Sequence, residues 1–442
     1  MSIPLDHLYH YINNIAEKIY KDRVIIYRFY PHGSKNLENF ETLYTVDPSD
    51  LLLYPTILCA DQEPLNYDYS EETIPYDPFA EMVKPLDSEF VEDLKNLKSC
   101  SYIYLSFNNG ILLHSEKRSL EVTKYQNDIY IPTYYWSHAV IALDWYRYAQ
   151  HVSQQKNVNQ TFLIYNRAWA GTREYRLKFT ELLIENNLID HCRTSLNAVE
   201  PELNIHYLSH KFDNPVWRPS GQIEDYLQPT SATSDSSADF DIEDYNSTDI
   251  EVVLETLFDD SRLHLTEKSL RPIALGQPFI LMSTHGSLQY LKDYGFQTFE
   301  SIIDESYDQI ENPVDRMQAV VKLMCKIASW SKSERIEKMS QLQVIADYNR
   351  EYFFSDTFFN VIINELQTNL KNSMSQPLIS MERFKNFIDK WKQYLEVDEI
   401  KFFLSSLQKE HERYYPKVIE FLKQAENRYQ QLSQLTPSTN SV

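Results

Sequence analysis

Within the run LTEKSLRPIALGQPFILMSTHGSLQYLKDYGFQTFESIIDESYD (Leu265 to Asp308), Glu267, Lys268 and Arg271 fall within little more than one helical turn. Thr266 stands where a capping hydroxyl belongs. On such a helix Glu267 and Arg271 form an i,i+4 pair on one face. An acid here can accept hydrogen bonds from ribose hydroxyls. The cations can pair with a diphosphate, Arg as a fork-shaped donor and Lys as a compact charge. After the apolar stretch Pro278 to Met282 come Ser283, Thr284, His285, Gly286 and Ser287. A hydroxyl-rich loop that opens a helix offers N–H groups suited to phosphate. The plain alternative is a solvated, salt-bridged helix followed by an ordinary strand-to-helix turn.

A second cluster is Asn166, Arg167, Arg173 and Arg176. Arg167 closes a predicted strand, and ligands of open α/β sheets collect outside such strand ends. Arg173 and Arg176 follow on the first turns of the next helix. Together these arginines could clamp an anion, or they could pair with the neighbouring Glu174 and Glu181; for Arg176 the ion-pair reading is preferred. A third is Asp61-Gln62-Glu63-Pro64, just past a buried strand, where a carboxylate could serve as general base or merely shape a loop. His32, His114, His138 and His285 lie near predicted strand ends, and His138 is the preferred imidazole base. Asp304, Glu305 and Asp308 form an acidic knot better suited to capping or ion pairing than to a metal. No P-loop, GxGxxG, HExxH or GxSxG element occurs, so hydrolysis of nucleotides, dinucleotide binding, zinc proteolysis and esterase chemistry lack their signatures.

These residues need elements to hold them. Leu8, Ile12, Ile15 and Ile19 recur at helical spacing. Val24 to Tyr30, Leu51 to Leu65, Ser101 to Phe107 and Asp128 to Trp136 read as strands with following loops or helices. Thr161 to Trp169 reads as a strand ending at Asn166-Arg167, and GTREYRLKFTELLIENN as a one-faced helix. LNIHYLSH suggests another strand, and IEVVLETLF a strand or short helix. SLRPIALGQPFILMS reads as helix, turn and buried strand. The expectation is an α/β fold with largely parallel sheets: an N-terminal unit over 1–150, a second over 160–330 and a helical region over 331–435. A Ser/Asp-rich stretch, 231–249, reads as a mobile loop.

The 442 residues exceed one ordinary core. The net charge of −22 disfavours broad docking on nucleic acid, where phosphates must be neutralised. No apolar run approaches a membrane span and no leader is evident at Met1, so a cytoplasmic protein is expected. The four cysteines lack metal-type spacing and read as reduced core thiols. Glycine occurs only seven times, and Gly276, Gly286 and Gly295 share one stretch, which suggests backbone positions with positive φ or close approach.

TEKSLRPIALGQPFI, GSLQYLKDYGFQTF and IDESYD resemble a group of glycosyltransferase-like proteins common in bacteriophage and bacterial genomes. Thr266-Glu267-Lys268 is similar to the SEK-type donor motif of α1,3-fucosyltransferases and, more loosely, to the exostosin-type donor domain. FLIYNRAW, TREYRLKF and Ser195 to Asn197 fit the opening of the same domain, and DQEPL is typical of the phage group. The resemblance spans about residues 20–350 and leaves the last helices outside it. It implies a GT-B fold, with two Rossmann-like domains facing across a cleft and a C-terminal helical extension. Its implied function is metal-independent transfer of a sugar from a nucleotide-diphosphate sugar to a hydroxyl. The acceptor would be a glycan or a modified base in phage DNA, the latter disfavoured by charge; in a viral setting the site of action would be the host cytoplasm. Glu267 would then hold the ribose, Lys268 with Arg167 or Arg173 the diphosphate, and Arg271 would share that task. Asp61 and Glu63 match a family element of unassigned role. The competing expectation is a non-catalytic binding protein on the same scaffold.

Overall fold

A computed structural model describes residues 6–20, 24–29, 40–42, 56–60, 111–114, 132–134, 137–166, 168–195, 197–201, 203–221, 223, 240–260 and 262–374. The chain divides into two compact units, one holding 136–364 with 1–5 and 116–119, the other 6–115, 120–135 and 365–442.

In the latter unit helix α1 (Asp6–Tyr20) buries Leu8, Ile12, Ile15 and Ala16, positions that recur at helical spacing. Strands β1 (Ile25–Phe29), β2 (Phe40–Thr42), β3 (Thr56–Ala60), β4 (Ile111–His114) and β5 (Pro132–Tyr134) form a sheet in the order β2-β1-β3-β4-β5. Only β2 runs antiparallel, against β1. The expected strand 101–107 lies outside the described residues.

The other unit carries most of the chemistry. It opens on α2 (Ser137–Tyr146), followed by β6 (Gln160–Tyr165), α3 (Tyr175–Glu185), β7 (Cys192–Ser195), β8 (Val199–Glu200) and β9 (Ile205–His206). Next come α4 (Ile242–Ser247), β10 (Thr248–Leu254), α5 (Glu267–Leu275), β11 (Phe279–Met282) and α6 (Ser287–Asp293). Strands β11-β10-β6-β7, in that order, make a wholly parallel sheet. The expected strand LNIHYLSH contributes only the short β9, paired with β8.

β10 is buried at every position, as befits a central strand covered on both faces. The chain runs from β6 outward to β7, then crosses to β10 on the other side of β6. The gap between the carboxyl ends of β6 and β10 is thus the topological switch point, where open α/β sheets bind ligands.

The Ser/Asp-rich stretch differs from expectation at its end. Residues 242–249 are not a loop but α4 and the start of β10. Asp241 caps α4 by accepting from the Glu243 N–H at 2.9 Å, and Tyr245 is fully buried. Phe240 stacks on Tyr148 with ring centroids 5.7 Å apart. Phe240 and Tyr245 supply apolar area that holds this segment in place.

Gly276 ends α5 in the left-handed conformation at φ 67°, closing the turn between helix and strand. At Gly295, with φ 97°, a Cβ would lie 2.6 Å from the Tyr352 hydroxyl. Both glycines therefore answer a need that no side chain meets. Beyond Asn312, which caps at a Pro-led first turn, come α7 (Pro313–Ala328), α8 (Lys332–Phe353) and α9 (Asp356–Met374). No described helix is long and apolar enough to cross a membrane.

Candidate functional site

The carboxyl end of β10 leads through Glu255 and Thr256 toward α5. Glu255 is fully buried and acts as the anchor of the whole motif. Its Oε1 accepts from the Thr266 N–H at 2.9 Å and the Ser269 hydroxyl at 2.5 Å; its Oε2 accepts from the Thr266 hydroxyl at 2.8 Å and the Thr256 N–H at 3.0 Å. A carboxylate at a helix N-terminus satisfies the orphan N–H groups and sits well in the helix dipole. Thr266 also accepts from the Lys268 N–H, as the expected N-cap. With this end closed by Glu255, an arriving anion meets the Lys268 side chain rather than bare N–H groups. The sequence held only a faint signal for Glu255, an acid at the end of the apolar run IEVVL.

Lys268 Nζ donates to Glu267 Oε1 at 2.8 Å and to the Thr266 hydroxyl at 3.2 Å, and lies 3.4 Å from the Thr256 hydroxyl. The Lys268 side chain keeps 14% of its surface exposed, against 5% for Glu267. His138, on α2, places Nδ1 at 3.6 Å from Glu267 Oε2. Its ring meets His264 edge to face at 5.2 Å. His264 is fully buried, and neither ring nitrogen has a hydrogen-bond partner among the described residues. Burial, helped by the charges of His138, Lys268 and Arg262, holds its pKa well below the usual imidazole range. Tyr146, about two α2 turns beyond His138, donates to the Glu267 carbonyl at 3.1 Å and so ties α2 to the start of α5. His138 is thereby brought to Glu267 and Lys268 from far off in sequence. His264 was not singled out from sequence, because a lone histidine before a helix carries no pattern.

Arg271 does not share this site. Its guanidinium pairs with Glu251 at 2.5 Å, donates from Nε to the Tyr245 hydroxyl at 3.1 Å and lies 4.6 Å over the Tyr165 ring. Burial works against its charge, but Glu251, Tyr245 and Tyr146 together outweigh burial and raise its pKa. The expected Glu267–Arg271 pair is therefore replaced by Glu267–Lys268 and Glu251–Arg271. The physical reason is that Glu251, inward-facing on fully buried β10, demands the nearest cation.

At the switch point itself sits Arg176. It donates to Asn166 Oδ1 at 3.3 Å, to the Ala168 carbonyl at 2.6 Å and to the carbonyls of Leu254 and Glu255 at 2.6 and 3.2 Å. It staples the ends of β6 and β10, rather than pairing with Glu174 or Glu181. Asn166 is buried in this staple. Arg173 is half-buried, close enough for its charge to act on Tyr175 and Arg176. Arg167, Asp61 and Glu63 lie outside the described residues.

The hydroxyl-rich loop after β11 is likewise occupied. Ser287 donates to the Thr284 carbonyl at 2.6 Å, and Ser283 and Thr284 turn toward the Leu257 carbonyl at 3.4 and 3.5 Å. Gly286, at φ 79°, precedes α6, and its N–H donates to the Asp308 carbonyl at 2.8 Å. Asp308 Oδ1 accepts from the Leu288 N–H at 3.1 Å. The phosphate expected at Ser283, Thr284, Gly286 and Ser287 thus finds its place taken by an internal carboxylate, and Asp308 caps as the acidic knot suggested.

Glu305, in the same knot, accepts from the Phe299 N–H at 2.9 Å. Burial raises its pKa from 4.5 to about 7. The folded chain thus holds this proton where the unfolded chain has lost it. The stability that the residue contributes is full at acidic pH and falls as pH rises from 4.5 to about 7. Glu305→Gln should flatten urea midpoints between about pH 5 and about pH 8 relative to the wild type. An equal loss in the variant would assign the pH dependence elsewhere.

Against family models, characterised proteins and solved structures, the chain shows no match.

Proposed function

We propose that this chain is a glycosyltransferase that takes a nucleotide-diphosphate sugar at the mouth of the four-stranded parallel sheet. The observation that carries the reading is the position of Lys268. It is a partly exposed ammonium beyond the carboxyl end of β10, flanked by Glu267 and His138. The resemblance of Thr266-Glu267-Lys268 to a donor motif supports the same assignment. In this reading Lys268 meets the diphosphate, Arg173 adds a second positive charge, and Glu267 receives the ribose hydroxyls. As the bond between sugar and diphosphate breaks, negative charge gathers on the leaving oxygen. A preorganised ammonium stabilises that charge more than it stabilises the ground state. A base removes the acceptor proton; His138 is the described candidate. A GT-B arrangement of two Rossmann-like domains and a cytoplasmic site of action belong to the same proposal.

One observation favours a second reading, a non-catalytic protein on this scaffold. The N-termini of α5 and α6 are both met by internal carboxylates, Glu255 and Asp308. The two readings part in a thermal-shift screen of UDP-, GDP-, ADP- and CMP-sugars. A ligand at about a hundredfold excess over its Kd adds about 2.7 kcal/mol of stability. The transferase reading expects a rise of several degrees with one nucleotide. No rise with any of them supports the scaffold.

A further inference from the structure

We infer that residues 207–223 form a lid whose tip, 214–217, fastens across the switch point and must lift before the donor diphosphate can enter. This rests on the reading of the sheet mouth as the donor site. The base of the loop is fixed. Tyr207 and Ile223, at its two ends, are buried in one cluster with Trp169 and Leu177, and the Ile223 N–H donates to the Tyr207 hydroxyl at 3.4 Å. Surface loops with joined ends are frequently functional. Two carboxylates of the α3 region, each 2% exposed, then hold the body of the loop. Glu181 accepts from the Ser220 N–H at 2.6 Å, the Ser220 hydroxyl at 2.8 Å and the Gly221 N–H at 2.5 Å. Glu174 accepts from the Asp213 N–H at 2.8 Å and the Asn214 N–H at 3.1 Å, and pairs with His210 Nε2 at 2.7 Å. Carboxylates so buried hold their donors with little competition from water.

The tip is held differently. Asn214 straddles the two sides of the switch point. Its N–H goes to Glu174, which follows β6; its Nδ2 donates to Asp259, which follows β10, at 2.7 Å. Trp217 Nε1 donates to the same Asp259 oxygen at 3.1 Å. The Trp217 ring meets Phe258 edge to face at 5.9 Å, and Phe258 stacks on Tyr175 at 4.4 Å. Tyr175 in turn donates to the Glu255 carbonyl at 2.7 Å, at the carboxyl end of β10. The tip thus bridges the β6 and β10 sides of the mouth. Asp259 is exposed, so water competes for this catch as it does not for Glu174 and Glu181. That contrast sets the order of release: the Asp259 catch gives way first, and the tip swings from its α3 anchor. Within the turn Pro215–Trp217, Val216 is 50% exposed and Trp217 only 3%. Burial of the one indole keeps the open form a minor population rather than an absent one. Arg173, assigned to the diphosphate, directly precedes Glu174, so the anchor of the lid adjoins the proposed ligand charge.

Two measurements on the full chain test this. The first reads amide hydrogen exchange without ligand in the wild type, Asp259→Ala and Asp259→Asn. The Val216, Trp217 and Arg218 amides donate to Asn214 and Pro215, within the tip. They should exchange about tenfold faster in Asp259→Ala, the effect of losing a charged acceptor. The Ser220 and Gly221 amides, held by Glu181, should not change, and Asp259→Asn, which keeps an acceptor oxygen, should stay nearer the wild type. No acceleration at the tip overturns the inference, and so does equal acceleration at tip and base. The second is calorimetry with UDP, GDP, ADP and inorganic pyrophosphate. Apparent affinity scales with the fraction of molecules that are open, so a probe should bind Asp259→Ala about three- to tenfold more tightly than the wild type. A probe that binds Asp259→Ala alone supports the lid most directly. Unchanged or weaker binding overturns the lid and leaves the donor reading standing. If no probe binds either protein, the donor reading fails and the lid falls with it.

Discussion

Replacing Lys268 by alanine should lower kcat/KM for the nucleotide-sugar by about a hundred- to a thousandfold, the loss typical of one charge-stabilising donor removed from a transition state. The argument is local. The Lys268 ammonium sits beyond the carboxyl end of β10, beside a helix end already closed by Glu255. With the N–H groups of that end in use, the side chain is the principal positive charge that α5 itself can offer. Its partial exposure sets it apart from Arg176 and Arg271, which are buried and held by internal acceptors. The variant should remain folded, because Thr266, Ser269 and Glu255 hold the helix start without it. Circular dichroism and a thermal melt establish folding; steady-state kinetics with the donor that the screen identifies give the effect. Full donor turnover by a folded Lys268→Ala protein would remove the basis of the assignment.

Arg271→Leu should do the opposite: unfold rather than inactivate. Deleting one partner of a buried ion pair costs about 3–5 kcal/mol, because the other is left as an uncompensated charge. Glu251 has no exposed surface, and Arg271 retains 5% of its side chain. Tyr245 donates to the same carboxylate at 2.5 Å, so the residual network cannot neutralise it. Urea denaturation should show a large fall in midpoint. The companion Arg271→Leu/Glu251→Leu removes both charges and should recover part of the loss. If instead Arg271→Leu left stability unchanged and abolished ligand binding, Arg271 would belong to the ligand site after all.

The contrast between these two residues shows where sequence reading stops. Lys268 and Arg271 lie on one short helix and share a charge, so no spacing rule separates them. What separates them is what each faces across space. Arg271 meets Glu251 from β10 and Tyr245 from α4; Lys268 meets Thr256 and the rim of the sheet. Ser283 and Ser287 make the same point. The loop chemistry suits phosphate, but Asp308, some twenty residues on, reaches back to fill the position.

The sequence by itself determined the elements. Alternation of apolar runs with one-faced helices located β6, α5 and β11 and left β10 as strand or short helix, and Thr266 and Gly276 marked the two ends of α5. Cap, breaker and periodicity are properties of neighbouring residues, so they are written locally. It also marked the positive-φ glycines 276, 286 and 295. Only the tertiary structure decided which polar groups are used up and which remain. It brought His138 and His264 to Glu267, seated Glu255 beneath the motif, and withdrew Arg271 and Asn166 into the core. Burial and pairing join residues more than a hundred positions apart, such as His138 and Glu267, and a buried charge takes the closest partner in space whatever its place in the chain.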